Sequence, residues 1–171
     1  IIEDHEDEDS GNIYISGGNI MINCPGVAAK GIKSEGDIYL SDECVINVTT
    51  TGNGRWDEED LETSAACGLS ADGNITISGG NITLVATGSG GKGLKCDGDT
   101  SLAVSSVNRT VTINGGDITF DVGGDGSRFI RCAGDVVVNG GSISGVLKAN
   151  SFFDYDKDDD SYSCIIKADR N

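Results

Sequence analysis

The sequence predicts an all-β protein, and more specifically a right-handed parallel β-helix of about five to six coils. A phrase of seven residues, Gly-Leu-Lys-Cys-Asp-Gly-Asp at positions 93–99, recurs along the chain with its register intact. A second phrase, in which two segments of alternating apolar and polar residues flank a Gly-Gly pair, begins at the glycine that closes the first phrase. Repeats of this length are typical of stacked coils, and right-handedness is the usual chirality of parallel crossovers. The apolar second position of the first phrase is occupied by Ile32, Leu69, Leu94, Ile130 and Ile166.

The composition favours short strands over helices. The 171 residues include 26 glycines and a single proline, and only 5% of them are aromatic, which indicates a core of Ile, Val and Leu. The formal net charge of -16 excludes diffuse electrostatic attraction to nucleic acid or to an anionic membrane. An anionic partner therefore requires a local basic patch or a bound cation.

Two segments, Gly11 to Cys24 and Gly36 to Val48, alternate between apolar and polar residues, which is typical of half-buried strands. We expect the isoleucines to face the interior and the Asn, Ser and Tyr residues to face outward. Strand pairs this short cannot bury an apolar face alone, so we expect neighbouring coils to stack about 4.8 Å apart. Glycine recurs at the bends between strands, where φ must be positive and a Cβ would cause strain.

The domain organisation follows from where the repeat is interrupted. We expect residues 1–10 to form an acidic leader and residues 11–171 to form the β-helix domain. Insertions near 49–66, 101–110 and 150–163 are expected to emerge as loops, where binding residues are often found. No run of about 18 apolar residues is present, so we expect no membrane span. The chain begins abruptly at Ile1, and we expect a secretory signal to have been removed before it.

Alternation within the phrase assigns Lys95 and Asp97 to the outer face, and stacking of the coils then builds two parallel outer ladders. One interpretation is that the ladders form ion pairs between coils, each contributing little at a surface. The other is a linear groove in which Lys and Arg bind the carboxylates or hydroxyls of an extended polymer. The basic ladder consists of Lys33, Ser70, Lys95, Arg131 and Lys167, and the acidic ladder of Glu35, Asp72, Asp97, Ala133 and Asp169.

Calcium is the predicted cofactor. In the groove interpretation, Glu35, Asp72 and Asp97 hold Ca2+ that bridges to acid groups of the polymer, because Ca2+ accepts several oxygen ligands in flexible geometry. A second candidate calcium site lies in the insertion near 150–163, where the alternative is a solvated acidic turn. That segment departs from an EF-hand loop, which has Gly at its sixth position and Glu at its twelfth. The candidate ligands there are Asp154, Asp156 and Asp158.

Trp56 is the only tryptophan, and it lies in a polar insertion between Arg55 and Asp57. An exposed indole on such a loop can stack on the apolar face of a sugar ring. The alternative is that this large side chain anchors its own loop. Trp56 is therefore a candidate sugar-binding residue.

The six cysteines fit no zinc-binding spacing. Cys96 and Cys132 occupy the same phrase position in adjacent coils, where Cα atoms about 5 Å apart would be within reach of a disulfide. We favour stacked free thiols, since buried cysteine behaves as a small hydrophobic residue.

The phrases Gly-Asp-Ile-x-Ile-Ser-Gly-Gly-x-Ile and Lys-Gly-Leu-Lys-x-Asp-Gly resemble those of a secreted bacterial carbohydrate-binding β-helix family, which is related in shape to pectate lyases. The resemblance runs from about Gly11 to Asp169. It implies a secreted or cell-surface protein with calcium sites that binds plant-type polysaccharide, particularly acidic sugars such as polygalacturonate. The implied binding positions are pairs of the Lys95/Asp97 type, and Ser70 and Ala133 are departures that interrupt each ladder.

Three functions remain open at this point. The first is non-catalytic binding of a polysaccharide, and the second is a pectate-lyase-type polysaccharide lyase in which Lys95 or Arg131 removes a proton beside a uronate carboxylate. Acidic neighbours would raise the pKa of such a base, which favours binding over catalysis. The third is an adhesin-like surface spacer. The expected partners are a polysaccharide and, if the chain is part of a longer protein, its neighbouring domains.

Overall fold

The computed structural model describes residues 11–57, 62–96, 109–154 and 159–168. These residues form seventeen strands joined by bends and turns. None of the described residues lies in a helix, so this part of the chain contains no membrane-spanning helix. The prediction of an all-β protein is therefore confirmed for this part of the chain, whereas the leader at 1–10 lies outside it. The strands are β1 Ile13–Ile15, β2 Asn19–Cys24, β3 Lys30–Ser34, β4 Ile38–Leu40, β5 Val45–Thr50, β6 Arg55–Asp57, β7 Glu62–Ser64, β8 Cys67–Ala71, β9 Ile75–Ala86, β10 Lys92–Cys96, β11 Thr110–Gly123, β12 Arg128–Cys132, β13 Asp135–Val138, β14 Ser142–Lys148, β15 Phe152–Asp154, β16 Asp159–Ser161 and β17 Cys164–Ala168.

Eight strands form one parallel sheet with the order β1-β4-β9-β11-β13, and β2, β5 and β14 pair beside this path. β9 and β11 run through their Gly-Gly pairs, which differs from the predicted separate strands. Pairing continues there because Gly80 and Gly116 adopt φ of 91° and 90°, while the register shifts between Ile113 and Asp117. A Cβ on Gly116 would lie 2.8 Å from the carbonyl oxygen of Gly79, so this position requires glycine.

Five strands form the second sheet, with the order β17-β12-β10-β8-β3, and all neighbours are parallel. Leu94 of β10 pairs with Leu69 on one side and with Ile130 on the other. Ile32 and Ile166 continue the same row at the two edges. The register that the repeated phrase predicts is therefore confirmed in this sheet.

The core lies between the two sheets and is built from Ile, Leu, Val and small residues, as the composition indicates. Phe120 of β11 and Phe129 of β12 join the sheets, with ring centroids 4.2 Å apart and planes at 11°. Both rings are at most 4% exposed. Apolar burial of this kind is the dominant favourable contribution to folding, and it fixes the inward positions of both sheets.

The six cysteines all lie within the described residues and are free thiols. Cys96 and Cys132 are directly paired between β10 and β12, and the Cys96 thiol donates to the Gly73 carbonyl oxygen at 3.0 Å. The prediction of stacked free thiols is confirmed.

Two antiparallel pairs lie within the predicted insertions. β6 pairs with β7 in the insertion near 49–66, and β15 pairs with β16 in the insertion near 150–163. Both pairs stand outside the two parallel sheets. Of the insertion near 101–110, only residues 109 and 110 are described.

Candidate functional site

The five-stranded sheet concentrates the basic residues of an acidic protein. It holds seven of the twelve Lys and Arg residues of a chain whose net charge is -16, and its strands contain no Asp or Glu. We call this sheet, consisting of β3, β8, β10, β12 and β17, the cationic sheet. Its basic residues are Lys30, Lys33, Lys92, Lys95, Arg128, Arg131 and Lys167.

Four of these residues, together with Ser70, form an outer row of five positions in which each position is directly paired with the next. Ser70 pairs with Lys33 on one side and with Lys95 on the other. Lys95 then pairs with Arg131, and Arg131 with Lys167. The structure thus brings together the four cations that the sequence places in one ladder, with Ser70 as the gap. Ser70 is only 2% exposed, so the gap is covered.

Lys33 is the exposed cation of the outer row. Its Nζ lies 2.7 Å from Oδ2 of Asp72, and the two side chains are 42% and 34% exposed. The predicted ion pair between ladders is therefore present here. Because both groups remain in contact with water, such a pair contributes about 0 to 1 kcal/mol and can be exchanged for a ligand carboxylate.

Arg131, Lys95 and Lys167 are half-buried and are also engaged by protein groups. Nη1 of Arg131 donates to the carbonyl oxygen of Cys132 at 3.0 Å. A guanidinium held by the backbone in this way keeps a fixed position on the outer row.

The remaining three cations begin their strands, and sequence analysis missed them. Nζ of Lys30 donates to the carbonyl oxygen of Ala28 at 2.9 Å and to Oγ of Ser64 at 2.8 Å. Nζ of Lys92 donates to the carbonyl oxygen of Gly90, and Nε of Arg128 donates to that of Tyr162 at 2.9 Å. These residues anchor the adjoining bends. The signal was a basic residue three positions before Lys33, Lys95 and Arg131.

The predicted calcium ligands are not assembled within the described residues. Glu35 is exposed beyond the end of β3, Asp72 faces Lys33, and no group of three His, Cys, Asp or Glu residues that could hold a metal occurs in this part of the chain. The backbone of Asp154 ends β15, opposite Asp159. Asp97, Asp156 and Asp158 lie outside the described residues.

Trp56 lies in β6, opposite Thr63 of β7. This antiparallel pair is separate from the cationic sheet, so Trp56 is not part of the outer row. Sugar stacking by Trp56 stays a prediction.

A second feature that sequence analysis missed is a pair of stacked tyrosines on the eight-stranded sheet. Tyr14 of β1 and Tyr39 of β4 are directly paired, with ring centroids 4.9 Å apart and planes at 5°. We call them the tyrosine pair. The signal was the recurrence of Ile-Tyr-Ile and Ile-Tyr-Leu at the same point after each glycine bend.

Asp37 and Asn12 hold the tyrosine pair in place. The Tyr39 hydroxyl donates to Oδ2 of Asp37 at 2.6 Å, and this hydrogen bond, followed by burial, raises the pKa of Tyr39 to about 12. Burial acts to raise the pKa of Asp37, but hydrogen bonds from Asn74 and Tyr39, together with the charge of Arg109, hold that pKa below its usual value. Nδ2 of Asn12 donates to the Tyr14 hydroxyl at 3.3 Å.

An open depression of about 540 Å³ lies over two Gly-Gly pairs of the eight-stranded sheet. Its polar lining is acidic, with Asp42, Glu43 and Asp117 around Asn81. The surface outside the cationic sheet is therefore unfavourable for an anionic ligand at this point.

Comparison with known proteins identifies the family to which the chain belongs. No curated protein and no solved structure matches the chain. Residues 2–126 match a family model described as a carbohydrate-binding domain-containing protein, and the matched segment includes Lys33 and Lys95 of the outer row and both members of the tyrosine pair. This match covers more than half of the sequence, so the chain belongs to the family of carbohydrate-binding domain-containing proteins.

Proposed function

We propose that the protein is a non-catalytic module that binds an acidic, plant-type polysaccharide such as polygalacturonate along the outer row of the cationic sheet. The observation that carries this proposal is the presence of seven cations and no carboxylate in the strands of one sheet, in a chain of net charge -16. A carbohydrate partner follows from the family. The acidic character of that carbohydrate is the part that we infer from charge.

The spacing of the outer row suits an extended polymer. Neighbouring strands of a sheet lie about 4.8 Å apart, so the three successive cations from Lys95 to Lys167 offer a positive group at each strand. Lys33 lies two strands from Lys95. Carboxylates carried at regular intervals along a polysaccharide can meet several of these cations at once, which raises the overall affinity above that of one contact.

We further propose that the two sheets belong to a right-handed parallel β-helix of about five to six coils. The strand order supports this proposal, because β4, β9, β11 and β13 follow one another in one sheet while β3, β8, β10, β12 and β17 follow one another in the other. Successive coils of a solenoid would produce this order. The cationic sheet would then be one long side of the solenoid.

Calcium dependence remains a proposal from the sequence. The described carboxylates do not fit a calcium site, since Asp72 faces Lys33 and no group of three candidate ligands comes together within this part of the chain. The proposed binding by the outer row therefore takes no step through Ca2+. We also retain secretion or cell-surface attachment in a bacterium as a proposal, because a plant polysaccharide would be met outside the cell.

A lyase has less support from these contacts. Arg131 and Lys95, the two candidate bases, both have protein partners, and Nη1 of Arg131 already donates to a carbonyl oxygen. A catalytic base needs an unprotonated nitrogen that can reach the substrate proton. A surface spacer would leave the concentration of cations in one sheet without a role.

Titration with two forms of one polymer tests the proposed function. Polygalacturonate and its fully methyl-esterified form share a backbone and differ in charge. We expect polygalacturonate to bind more tightly, and we expect its binding to weaken on going from about 0.1 M to about 1 M salt, because the screening length falls from about 10 Å to about 3 Å. Equal binding of the two forms, or no binding of polygalacturonate, would contradict the proposal.

The same titration with Ca2+ and then with a chelator separates the two parts of the proposal. Binding that disappears with the chelator supports calcium dependence. Binding that is unchanged by the chelator contradicts calcium dependence and leaves the cationic sheet as the site. The absence of unsaturated uronate products in either case would agree with a non-catalytic module.

A further inference from the structure

We propose that Tyr14 forms a second carbohydrate-binding site, on which a neutral, β-linked hexopyranose chain stacks at the edge of the eight-stranded sheet. This site is distinct from the cationic sheet and takes an uncharged ligand. It lies beyond the bend that connects β3 to β4, so the two sites are on different faces of the protein.

The exposure of Tyr14 shows that one face of its ring is open. Tyr14 is 69% exposed, although its other face is stacked on Tyr39 with the planes only 5° apart. Among the described strands, β1 lies at the edge of its sheet and has β4 as its partner along the sheet path. A flat aromatic ring whose face is in contact with water can stack on the flat, apolar face of a ligand.

The ring is held in place before any ligand arrives. Oδ1 of Asn12 accepts the backbone N–H of Asp37 at 2.8 Å, and Nδ2 of Asn12 donates to the Tyr14 hydroxyl at 3.3 Å. The Tyr39 hydroxyl donates to the side-chain carboxylate of Asp37. Asp37 therefore holds Tyr39 directly and holds Tyr14 through Asn12. Because the ring is already ordered, binding loses less side-chain entropy than it would with a mobile aromatic residue.

The surroundings favour a neutral sugar over a uronate. Asp37 is held ionised by its hydrogen bonds, because these lower its pKa, and its carboxylate lies beside the tyrosine pair. A carboxylate repels a second carboxylate and accepts hydrogen bonds from sugar hydroxyls. In a β-linked glucan the hydroxyls are equatorial, which leaves both faces of each ring lined by C–H groups and suited to stacking on Tyr14.

The aromatic pair is confined to the end of its row. The directly paired positions on the next strands are Thr76, Thr112 and Val137, so no aromatic residue continues the stack inward. The family match at 2–126 includes both tyrosines. The tyrosine pair thus supplies, at the end of this row, the residue type that sugars use for stacking.

The test is an NMR titration of the protein with cellohexaose, a soluble neutral β-linked glucan. The variants are Tyr14→Thr, Tyr14→Phe and, as a control, Tyr162→Thr, since Tyr162 is also exposed, at 53%, and lies near β17. Threonine is chosen because the same row already holds it at Thr76 and Thr112, so the change suits the strand.

We expect Tyr14→Thr to weaken cellohexaose binding about tenfold, because the stacked ring is lost. Tyr14→Phe should stay within about threefold of the wild type, because it loses only a surface hydrogen bond. Tyr162→Thr should bind as the wild type does. In the wild type, axial sugar protons on one face should shift upfield because of the ring current of Tyr14.

Two results would overturn the inference. One is the absence of cellohexaose binding, or of the upfield shift, in the wild-type protein, a measurement that needs no variant. The other is unchanged binding by a folded Tyr14→Thr. Polygalacturonate binding by Tyr14→Thr should equal that of the wild type, so a failure of this inference is distinguishable from a failure of the proposed cationic site.

Discussion

The two parallel sheets share one core and differ in their outward chemistry. The cationic sheet contains seven Lys or Arg residues and no carboxylate, whereas the eight-stranded sheet contains three carboxylates and one lysine. Its carboxylates are Asp117, Asp121 and Asp135, and its lysine is Lys148. Inward positions are constrained in both sheets by packing, so the repeated phrases keep them apolar or small. Outward positions are free to differ, and the proposed ligand preference rests on this difference between the sheets.

A second contrast lies within the cationic sheet. The cations that begin the strands donate to carbonyl oxygens of the bends, as Lys30 does to Ala28. Lys33, in the outer row, instead faces the partly exposed carboxylate of Asp72. Basic residues that are equally prominent in the sequence therefore have different roles, since Lys30 anchors the backbone and Lys33 remains exchangeable with a ligand.

The largest effect should come from removing the contact that joins the two sheets. Phe129→Ala removes a fully buried ring that stacks on Phe120, and such truncations cost about 3 to 5 kcal/mol. Tyr14→Thr removes a ring from the other stacked pair, which is exposed, and should cost less than about 1 kcal/mol. Urea unfolding of both variants measures the difference. Similar losses would contradict the assignment of Phe120 and Phe129 as the joint between the sheets.

A smaller effect should follow from adding one methyl group to the cationic sheet. In Gly93→Ala the new Cβ would lie 2.5 Å from Cδ2 of Phe129 and 2.8 Å from its carbonyl oxygen, which cannot move independently of β12. Overpacking of this kind costs about 1 to 3 kcal/mol. The control is Gly17→Ala, where nothing lies within 4 Å of the new Cβ. We expect thermal unfolding of Gly17→Ala to match the wild type, and equal midpoints for the two variants would refute the close approach of β10 and β12.

The smallest effect should be a pH dependence that belongs to the eight-stranded sheet. The pKa of Tyr39 is raised to about 12 by its hydrogen bond to Asp37, above the ordinary value of about 10 in an unfolded chain. The resulting stability is fully present below about pH 10 and is lost as the pH rises through about 12. Lysines titrate in the same range, so the wild type is compared with Tyr39→Phe. The variant should lose less unfolding free energy between pH 9 and about pH 12, and parallel losses would contradict this role of Tyr39.

The repeated phrase predicted the strand register well, for a physical reason. Each inward residue of the phrase meets its own counterpart in the next strand, as Leu69 meets Leu94, so alignment within the sequence is also alignment in space. The outer ladder follows from the same alignment, which is why Lys95 and Arg131 are neighbours as predicted. Features that depend on backbone repeats could therefore be derived from the sequence alone.

Features that depend on where a side chain turns could not be derived in this way. Lys92 and Lys95 look equivalent in the sequence, but Lys92 is 7% exposed and donates to the Gly90 carbonyl oxygen. The stacking of Tyr14 on Tyr39 depends on the χ angles of two residues that are distant in sequence. The antiparallel pair of β6 and β7 lies inside an insertion, where no repeat supplies an alignment.

The measurement that tests the central claim most directly compares polygalacturonate binding by Lys33→Gln and Lys148→Gln. Both lysines are exposed and pair with an aspartate, at 2.7 Å and 2.8 Å, so both changes remove one charge and one ion pair, but on different sheets. We expect Lys33→Gln to weaken binding about fivefold, because one exposed charge contact is worth about 1 kcal/mol, and Lys148→Gln to bind as the wild type does. Equal weakening by both changes would mean that the polymer responds to net charge, and it would contradict binding along the cationic sheet.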